Sequence, residues 1–260
     1  MILEGQDQTR GWFYSMLALS TMAFGKSPYK SVLMHGFALD ANGKKMSKSL
    51  GNVVTPEDVI SNYGVDVMRQ YIFSASAPWD DLRFSYEGIK TTLRMFNVLW
   101  NVYKFPLPYM ALDNFAPKEV DGKWDASVVE DHIKEFGRED RWLISRVNSL
   151  ADQVTREMEL GNLHRATRPI STFVLDELSR WYVQLVRPRM WLEEDSVSKV
   201  QAYETMYYVL RRLITIMAPF APFVCEKMYQ NLKCAGEVPS VHMQDWFAGR
   251  EELRDAVLEK

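Results

Sequence analysis

The feature that most constrains this chain is a helical spacing of apolar residues that runs through most of the sequence after Pro78. Four segments place large apolar residues three or four positions apart, which is the spacing that buries one face of an α-helix. We therefore predict a bundle of three or four antiparallel helices. The predicted core residues are Ile89, Leu93, Phe96, Trp100 and Tyr103, then Leu143, Val147, Leu150, Val154 and Met158, then Ile170, Phe173, Val174, Leu178, Trp181 and Leu185, and finally Val200, Tyr203, Tyr207, Leu210, Ile214 and Met217.

Polar residues and prolines indicate where these helices begin and end. Ser85 and Asp140 precede helical patterns and are expected to cap them. Residues 113–138 are polar and irregular, which predicts a linker. Pro169 and Pro188 lie within helical patterns, and because proline lacks a backbone N–H we expect a break or kink one turn before each.

Residues 1–75 follow a different pattern, in which short apolar runs alternate with helical stretches. The run "MIL" is followed by a helical stretch that Gly25 and Pro28 should end, and then by the apolar run "YKSVLMHGFAL". A strand, helix and strand at this spacing predict a right-handed crossover unit of a parallel sheet. Ligands of such sheets bind at the carboxyl ends of the strands, where "EGQDQ" and "HGF" fall.

The segment "GKKMSKSLGN", residues 43–52, lies between two local structure signals. Asn42 and Gly43 tolerate the positive φ angles of a tight turn. Thr55 and Pro56 form a helix start, with a side-chain cap followed by proline in the first turn. The lysine-rich segment is therefore predicted to be a loop pinned at both ends.

Lysine suits phosphate oxygens because its ammonium group is a compact charge with three donors. Lys45 and Lys48 are three positions apart, so they can address one polyphosphate, such as that of ATP, from adjacent directions. Gly43 and Gly51 provide hinges on which the loop can close and reopen. The alternatives are a solvated basic turn or a localisation signal, because short lysine-rich motifs recur by chance.

Composition narrows the class of protein. The 260 residues carry a formal charge of −3, so any contact with nucleic acid must come from local clusters of Arg and Lys. Cys225 and Cys234 lack CxxC spacing, which argues against a zinc site and a disulfide framework and favours a reduced, cytoplasmic compartment. No apolar run is long enough for a membrane span, and charged residues interrupt the first twenty positions.

Lys45-Met46-Ser47-Lys48-Ser49 is the intact KMSKS signature, and here the chain resembles the class I aminoacyl-tRNA synthetases. The stretches "EGQDQTRGWFYS", "HGFALD" and "KMSKSLGNVV" resemble the isoleucyl members, in their archaeal and eukaryotic form. The likeness continues through "YGVDVMRQY", "DRWLISRVNSL", "LSRWYVQLVRPRMW" and "MAPFAPFVCEKMY" to "SVHMQDW". It implies a mainly α fold in which the last βαβ portion of a Rossmann-like catalytic domain precedes an anticodon-binding helical bundle.

The resemblance also implies domain limits and partners. Residues 1–75 correspond to the end of the catalytic domain, 76–120 to a helical stem-contact region, and 121–260 to a truncated anticodon-binding bundle. The parent enzyme activates isoleucine with ATP and transfers it to tRNA(Ile), and Mg²⁺ normally accompanies this phosphate chemistry. No zinc and no membrane are expected.

Roles for individual residues follow from the resemblance. Lys45 and Lys48 correspond to the catalytic lysines that stabilise the triphosphate and the departing pyrophosphate. Trp12 corresponds to a wall of the isoleucine pocket, although a tryptophan there is otherwise typical of core packing. The residues that correspond to the ATP and adenylate site are Glu4, Gly5, Asp7, Gln8, His35, Gly36, Phe37, Met46, Ser47 and Ser49. Asp7 is also a potential helix cap.

Arginines and aromatic residues alternate along the helical region, where guanidinium groups can bind phosphates and rings can stack on unpaired bases. The simpler alternative is that the rings belong to the core and the arginines to a solvated face. The candidate tRNA-binding residues are Arg165, Arg168, Arg180, Arg187, Arg189, Arg211, Arg212, Trp181 and Trp191.

The chain lacks a HIGH motif, because none of its four histidines lies in that context, and it lacks the editing insertion. We therefore expect a carboxyl-side fragment of the synthetase that is inactive alone, with an uncovered apolar face and strand edge in residues 1–40 that favour disorder or self-association. Two other functions stay open: a stand-alone tRNA-binding module without catalysis, and a helical scaffold with a vestigial motif.

Overall fold

The computed structural model describes residues 1–193 and 196–260. It begins with strand β1 (Ile2–Gly5), helix α1 (Trp12–Phe24) and strand β2 (Val32–His35). β1 and β2 are parallel, with Ile2 paired to Val32 and Gly5 to His35. The predicted strand, helix and strand are confirmed. Gly25 ends α1 with a φ of 66°, a conformation that glycine adopts at low cost.

The second apolar run forms two strands instead of one. β3 (Ala38–Leu39) follows β2 after Gly36 and Phe37, and it pairs in parallel with β4 (Leu82–Arg83). Gly36 allows this bend because a Cβ at that position would lie 2.3 Å from the carbonyl oxygen of Asp80. β4 lies beyond Pro78, where helical spacing prevails, and at two residues it is too short to give a sequence signal.

Helix α2 (Pro56–Tyr63) and helix α3 (Val65–Ala75) follow the lysine-rich loop. Thr55 caps α2 as predicted, and its hydroxyl accepts a hydrogen bond from the N–H of Asp58. Ser85 likewise caps α4 (Tyr86–Lys104) by accepting from the N–H of Gly88. A short helix, α5 (Leu107–Leu112), comes next.

The predicted linker at 113–138 is instead folded onto the bundle. It contains the antiparallel strands β5 (Glu119–Val120) and β6 (Lys123–Trp124) and the short helix α6 (Ser127–Glu130). Trp124 packs its ring against Tyr207 and Tyr208, and Val129 is buried. These contacts join residues about 80 positions apart, so local polarity does not reveal them.

The bundle consists of α7 (Arg138–Glu159), a helical run from Leu163 to Trp191, α10 (Val197–Met217) and α11 (Pro222–Leu232). α10 packs against α7 and α11 and is buried on nearly all sides. Most of the predicted core residues lie in this interior. The exceptions include Trp181 and Leu185, which are exposed.

The run from Leu163 to Trp191 has three parts: α8 (Leu163–Thr172), a π-helical segment (Phe173–Tyr182) and α9 (Val183–Trp191). The chain stays helical through Pro169 and Pro188, so neither proline breaks the run, and a kink before each stays a prediction. Packing explains this, because the run buries residues on both sides of each proline, including Ile170 and Met190.

Side chains of α3 connect the first part of the chain to the bundle. The guanidinium group of Arg69 donates to the carbonyl oxygens of Pro219 and Phe220, at 2.8 and 3.2 Å. The Asp66 carboxylate accepts from the N–H of Val224 at 2.7 Å, at the start of α11. The loop before α2 is therefore joined through α3 to the helices of the bundle. Within 1–193 and 196–260, no helix has the length and apolar character needed to cross a lipid bilayer.

Candidate functional site

The lysine-rich loop leaves β3 through a turn at Asp40–Gly43 and lies beside the ends of the strands. Leu39 and Lys45 form an isolated antiparallel bridge, and the Lys45 ammonium lies 5.7 Å from the centre of the Phe37 ring. Gly43 and Gly51 have φ angles of 76° and 63°, which a residue with a Cβ adopts only with strain. The loop is thus where the sequence predicted it.

Asp40 and Asn52 hold the two ends of the loop together. The Asp40 carboxylate accepts hydrogen bonds from the backbone N–H groups of Asn42 and Lys44 and from the side-chain amide of Asn52, each at 2.9 Å. The Asn52 amide oxygen in turn accepts from the N–H of Ser47 at 2.9 Å. The hydrogen bonds from Asn52 and Lys44 hold the pKa of Asp40 below its ordinary value. The carboxylate therefore stays ionised within the loop.

Inside the loop, Lys48–Leu50 form a 3-10 turn that Ser47 caps. The Ser47 hydroxyl accepts from the N–H of Leu50 and contacts the Ser49 hydroxyl at 2.8 Å. Met46 packs against the core. No carboxylate in the described ranges forms an ion pair with Lys45 or Lys48, so both ammonium groups are available to an anion.

The carboxyl ends of β1 and β2 bring Glu4, Gly5, His35 and Gly36 together. The His35 ring nitrogen Nε2 lies 3.9 Å from a Glu4 carboxylate oxygen, and Nδ1 lies 2.9 Å from the carbonyl oxygen of Gly36. A Cβ on Gly5 would lie 2.6 Å from an Asp7 carboxylate oxygen. The side chains at this edge are polar and largely exposed.

The N-cap residue of α1 is Gly11, and Gln8, not Asp7, supplies the side chain that bonds the first N–H of this helix. The Gln8 amide oxygen accepts from the N–H of Trp12 at 2.8 Å, while Asp7 accepts from the Gln8 amide at 3.1 Å. Trp12 is 46% exposed, so it is not the buried core residue of the alternative interpretation. Its indole lies at the surface of α1, beside Phe13.

Three of the predicted tRNA-binding arginines form ion pairs inside the bundle. Arg211 is 2% exposed and pairs with Glu237. Arg189 pairs with Glu139 and with the fully buried Asp140. Asp140 was expected to cap α7, but its carboxylate accepts from the hydroxyl of Tyr182 at 2.6 Å instead.

Arg212 pairs with Glu130 at 2.9 Å, and its guanidinium lies 4.3 Å from the centre of the Phe247 ring. Arg168 donates to the carbonyl oxygens of Ser74 and Ala75, which adds to the α3 connection. Both arginines therefore have structural partners.

The other candidates lie at the surface of the run from Leu163 to Trp191. Arg165 and Arg180 are exposed, and Arg180 pairs with Asp176 one turn earlier. Trp181 and Trp191 are each 55% exposed, although the Trp191 indole donates to the hydroxyl of Tyr109. The Arg187 guanidinium lies 5.5 Å from the centre of the Phe105 ring and 5.6 Å from that of the Trp191 ring.

Sequence reasoning missed Asp40, Asn52 and the pair of Asp66 and Arg69. Asp40 carries a local signal, because it precedes the Asn42-Gly43 turn and Asx side chains bond backbone N–H groups two residues on. Asp66 and Arg69 carry no such signal, since their partners lie about 150 residues away. Among the side chains described, no group of three or more His, Cys, Asp or Glu residues is arranged to hold a metal ion.

Comparisons with known proteins agree with this architecture. Residues 1–85 match the family of class I tRNA synthetases for I, L, M and V, and residues 140–260 match the anticodon-binding domain of tRNA ligases. The chain therefore belongs to the class I aminoacyl-tRNA synthetases. Within that class, it resembles the isoleucine–tRNA ligases along its whole length.

The isoleucine–tRNA ligase of Methanocorpusculum labreanum is 79% identical over 259 residues, and that of Methanoregula boonei is 61% identical over 258 residues. These matches cover 100% and 99% of this chain. The chain spans 24% of the length of each of these relatives.

Two solved structures share the fold. An Agrobacterium radiobacter LeuRS in a ternary complex with tRNA and LeuAMS gives a TM-score of 0.70 at 18% identity, over 98% of this chain and 29% of that one. Mycobacterium tuberculosis methionyl-tRNA synthetase with methionyl-adenylate gives 0.70 at 22% identity, over 92% of this chain and 44% of that one. These likenesses establish the fold, which is mainly α with a Rossmann-like part before the helical bundle.

Proposed function

We propose that this chain is a working part of an isoleucine–tRNA ligase, which activates isoleucine with ATP and transfers it to tRNA(Ile). The observation that carries this proposal is the identity of 79% to such an enzyme along 259 residues. The intact KMSKS loop beside the strand ends agrees with it. The chain's part is to supply that loop and a surface for tRNA, in the cytoplasm.

In this proposal the loop acts on the phosphates of ATP. No carboxylate of residues 1–193 or 196–260 pairs with the Lys45 or Lys48 ammonium group, and Asp40 and Asn52 close the loop at its base. As charge builds on the departing pyrophosphate, the lysines stabilise it, because preorganised donors cost no reorganisation when the reaction occurs. Ser47 and Ser49 hold the turn that carries Lys48.

The ribose and adenine would lie against the ends of β1 and β2. Glu4 and Asp7 offer carboxylates to hydroxyl donors, Gln8 faces the adenylate linkage, and His35, Gly36 and Phe37 border the base. Trp12 offers an exposed ring as a wall for the isoleucine side chain. Mg²⁺ would accompany the phosphates of ATP, whose oxygens are the ligands that this ion prefers.

Replacing Lys48 tests the role of the loop. In an isoleucine–tRNA ligase that contains this segment, Lys48→Ala should slow adenylate formation about 100-fold or more, because the lost charge acts in the transition state. The affinity for isoleucine should change less than threefold. Isoleucine-dependent pyrophosphate exchange and equilibrium binding measure the two quantities.

Lys26→Ala is the matched control, since Lys26 follows the end of α1 opposite the strand tips and should leave the exchange rate unchanged. An equal loss of rate and isoleucine affinity in Lys48→Ala would show that the loop only positions substrate. Exchange that depends on valine and not on isoleucine would reject the assignment itself.

A further inference from the structure

A groove of about 590 Å³ lies between α10 and the segment that precedes α7, away from the lysine loop. Its walls are mainly apolar and include Val128, Phe136, Val197 and Val200. Glu204 of α10 lines the same groove. We call this feature the Glu204 groove. None of its lining residues belongs to the lysine loop or to the arginines proposed to bind tRNA.

Glu204 is 9% exposed, and its carboxyl group has no hydrogen-bond partner in the described part of the chain. Burying a carboxylate without partners is costly, so such groups are normally paired or serve a ligand. The other buried acids of the bundle are paired, as Asp140 is with Arg189 and Tyr182. Among the buried acids of residues 1–193 and 196–260, Glu204 is the exception.

The charges around the groove select the kind of ligand. Glu135 and His132 line it and contact each other at 3.1 Å. No lysine or arginine is among the described lining residues. Lys118 is the cation whose field reaches Glu204, and it pairs with Asp125 at 3.5 Å. A phosphate or carboxylate therefore finds no cation there, while a positive group finds an unpaired acid.

We propose that the Glu204 groove binds an organic cation with an apolar body, namely an alkylammonium group. The ammonium pairs with the Glu204 carboxylate, and the alkyl chain lies along Val197, Val200 and Phe136. An amine has the compact donor set that a single carboxylate accepts, and its stem buries apolar area against the walls. The same chemistry is offered by a free amine and by a lysine side chain of another protein.

Binding depends on pH in this proposal. Burial raises the pKa of Glu204 to about 7. The ionised fraction of its carboxyl group therefore rises about tenfold between pH 6 and pH 8, while an alkylamine stays protonated. The other titratable and charged groups that face Glu204 are His132 and Glu135, which line the groove, and Lys118. The affinity for the ammonium should accordingly rise about tenfold.

The test is a calorimetric titration of the 260-residue chain with hexylammonium chloride at pH 6 and pH 8. The expected result is binding that is about tenfold tighter at pH 8. In His132→Gln the same rise should persist, which separates Glu204 from the imidazole. Hexan-1-ol, with the same chain and no charge, should bind at least tenfold more weakly.

Glu204→Gln should lose at least tenfold in affinity, while Glu135→Gln, at the exposed rim, should lose less than threefold. Near-ultraviolet circular dichroism checks that each variant is folded. If Glu204→Gln does not fold, the comparison of hexylammonium with hexan-1-ol on the parent chain tests the proposal. Nα-acetyl-lysine amide distinguishes the sources. Comparable binding of this compound identifies a protein lysine, and binding of hexylammonium alone identifies a free amine. The proposal fails if hexylammonium does not bind, or if hexan-1-ol or Glu204→Gln matches it.

Discussion

Asp40 and Asn52 show how single side chains set the shape of the lysine loop. Without them, a segment with two glycines and three lysines has little reason to hold one conformation, since its charges repel and its backbone is permissive. The carboxylate of Asp40 collects three donors from both arms of the loop. Its charge also partly offsets that of the nearby lysines.

A pair of reciprocal substitutions tests this role. Asp40→Asn places one amide nitrogen opposite another and should raise the amide exchange rates of residues 44–51 several-fold, because the loop opens more often. The double variant with Asn52→Asp restores a donor facing a carboxylate and should recover most of the protection. Hydrogen-exchange mass spectrometry measures both, with α10 as the internal reference. Equal exchange in all three proteins would show that the pair does not hold the loop.

The buried carboxyl group of Glu204 should also affect how the free energy of unfolding depends on pH. Its pKa of about 7 in the folded chain exceeds the ordinary 4.5. Because the folded state holds the proton more tightly, this residue lowers the free energy of unfolding as pH rises from about 4.5, with the full penalty above pH 7. Glu204→Gln should therefore be more stable than the parent by roughly 1–3 kcal/mol at pH 8 and equally stable near pH 4.5.

Urea unfolding at the two pH values measures this difference. Glu135→Gln, which removes an exposed acid from the same groove, should change stability by less than about 0.5 kcal/mol at either pH. A Glu204→Gln variant that is no more stable at pH 8 than the parent would show that the carboxylate has a partner in solution.

The sequence predicted correctly those helix caps that depend only on contacts between neighbouring residues. Thr55 and Ser85 cap their helices because each cap bonds an N–H three residues away. Asp140 has the same sequence signature and does not cap, because its carboxylate pairs with Arg189, 49 residues on. A single sequence gives no sign of which acid has a distant partner.

Among the elements, the run from Leu163 to Trp191 shows how packing overrides backbone preference. Two prolines predicted interruptions, yet the run continues through a π-helical segment. Trp181 lies within this segment and Leu185 just after it, and both are exposed where a regular α-helical spacing predicted core. The hairpin of β5 and β6 was missed for a related reason, since its partners are on α10.

The predicted tRNA-binding residues form two groups with different expected behaviour. One group is exposed on this run, and the other is paired inside the bundle. Arg180→Ala and Trp181→Ala should leave folding intact and weaken tRNA binding, the tryptophan by about 1–3 kcal/mol if a base stacks on it. Arg180→Ala should also reduce the salt dependence of binding by about one phosphate contact. Filter binding over a range of salt concentrations measures both effects.

Arg211→Ala should instead destabilise the fold by about 3–5 kcal/mol, because it leaves Glu237 buried without its partner. Thermal unfolding distinguishes this loss from a direct effect on RNA. If Arg180→Ala and Trp181→Ala bind tRNA as tightly as the parent does, the tRNA must contact another face of the bundle.

At the scale of the whole molecule, the two parts of the chain differ in how completely they bury their apolar residues. The bundle encloses its core, and α3 is tied to it through Asp66, Arg69 and Arg168. Residues 1–40 were predicted to have an uncovered apolar face, and the structure agrees. On α1, only Phe13 is buried.

The uncovered face should make this chain self-associate when it is studied alone. Leu19 and Met22 are 64% and 77% exposed and lie three positions apart on α1, so they share one face of the helix. Replacing both with lysine should lower the oligomer fraction at about 50 μM without lowering the unfolding temperature, because neither side chain supports the fold. Sedimentation velocity measures the oligomers. Phe223→Lys, which changes an exposed apolar residue on α11, is the control and should leave the oligomers in place. If the parent chain and both variants were all monomeric, the apolar area on α1 would be too small or too mobile to drive association.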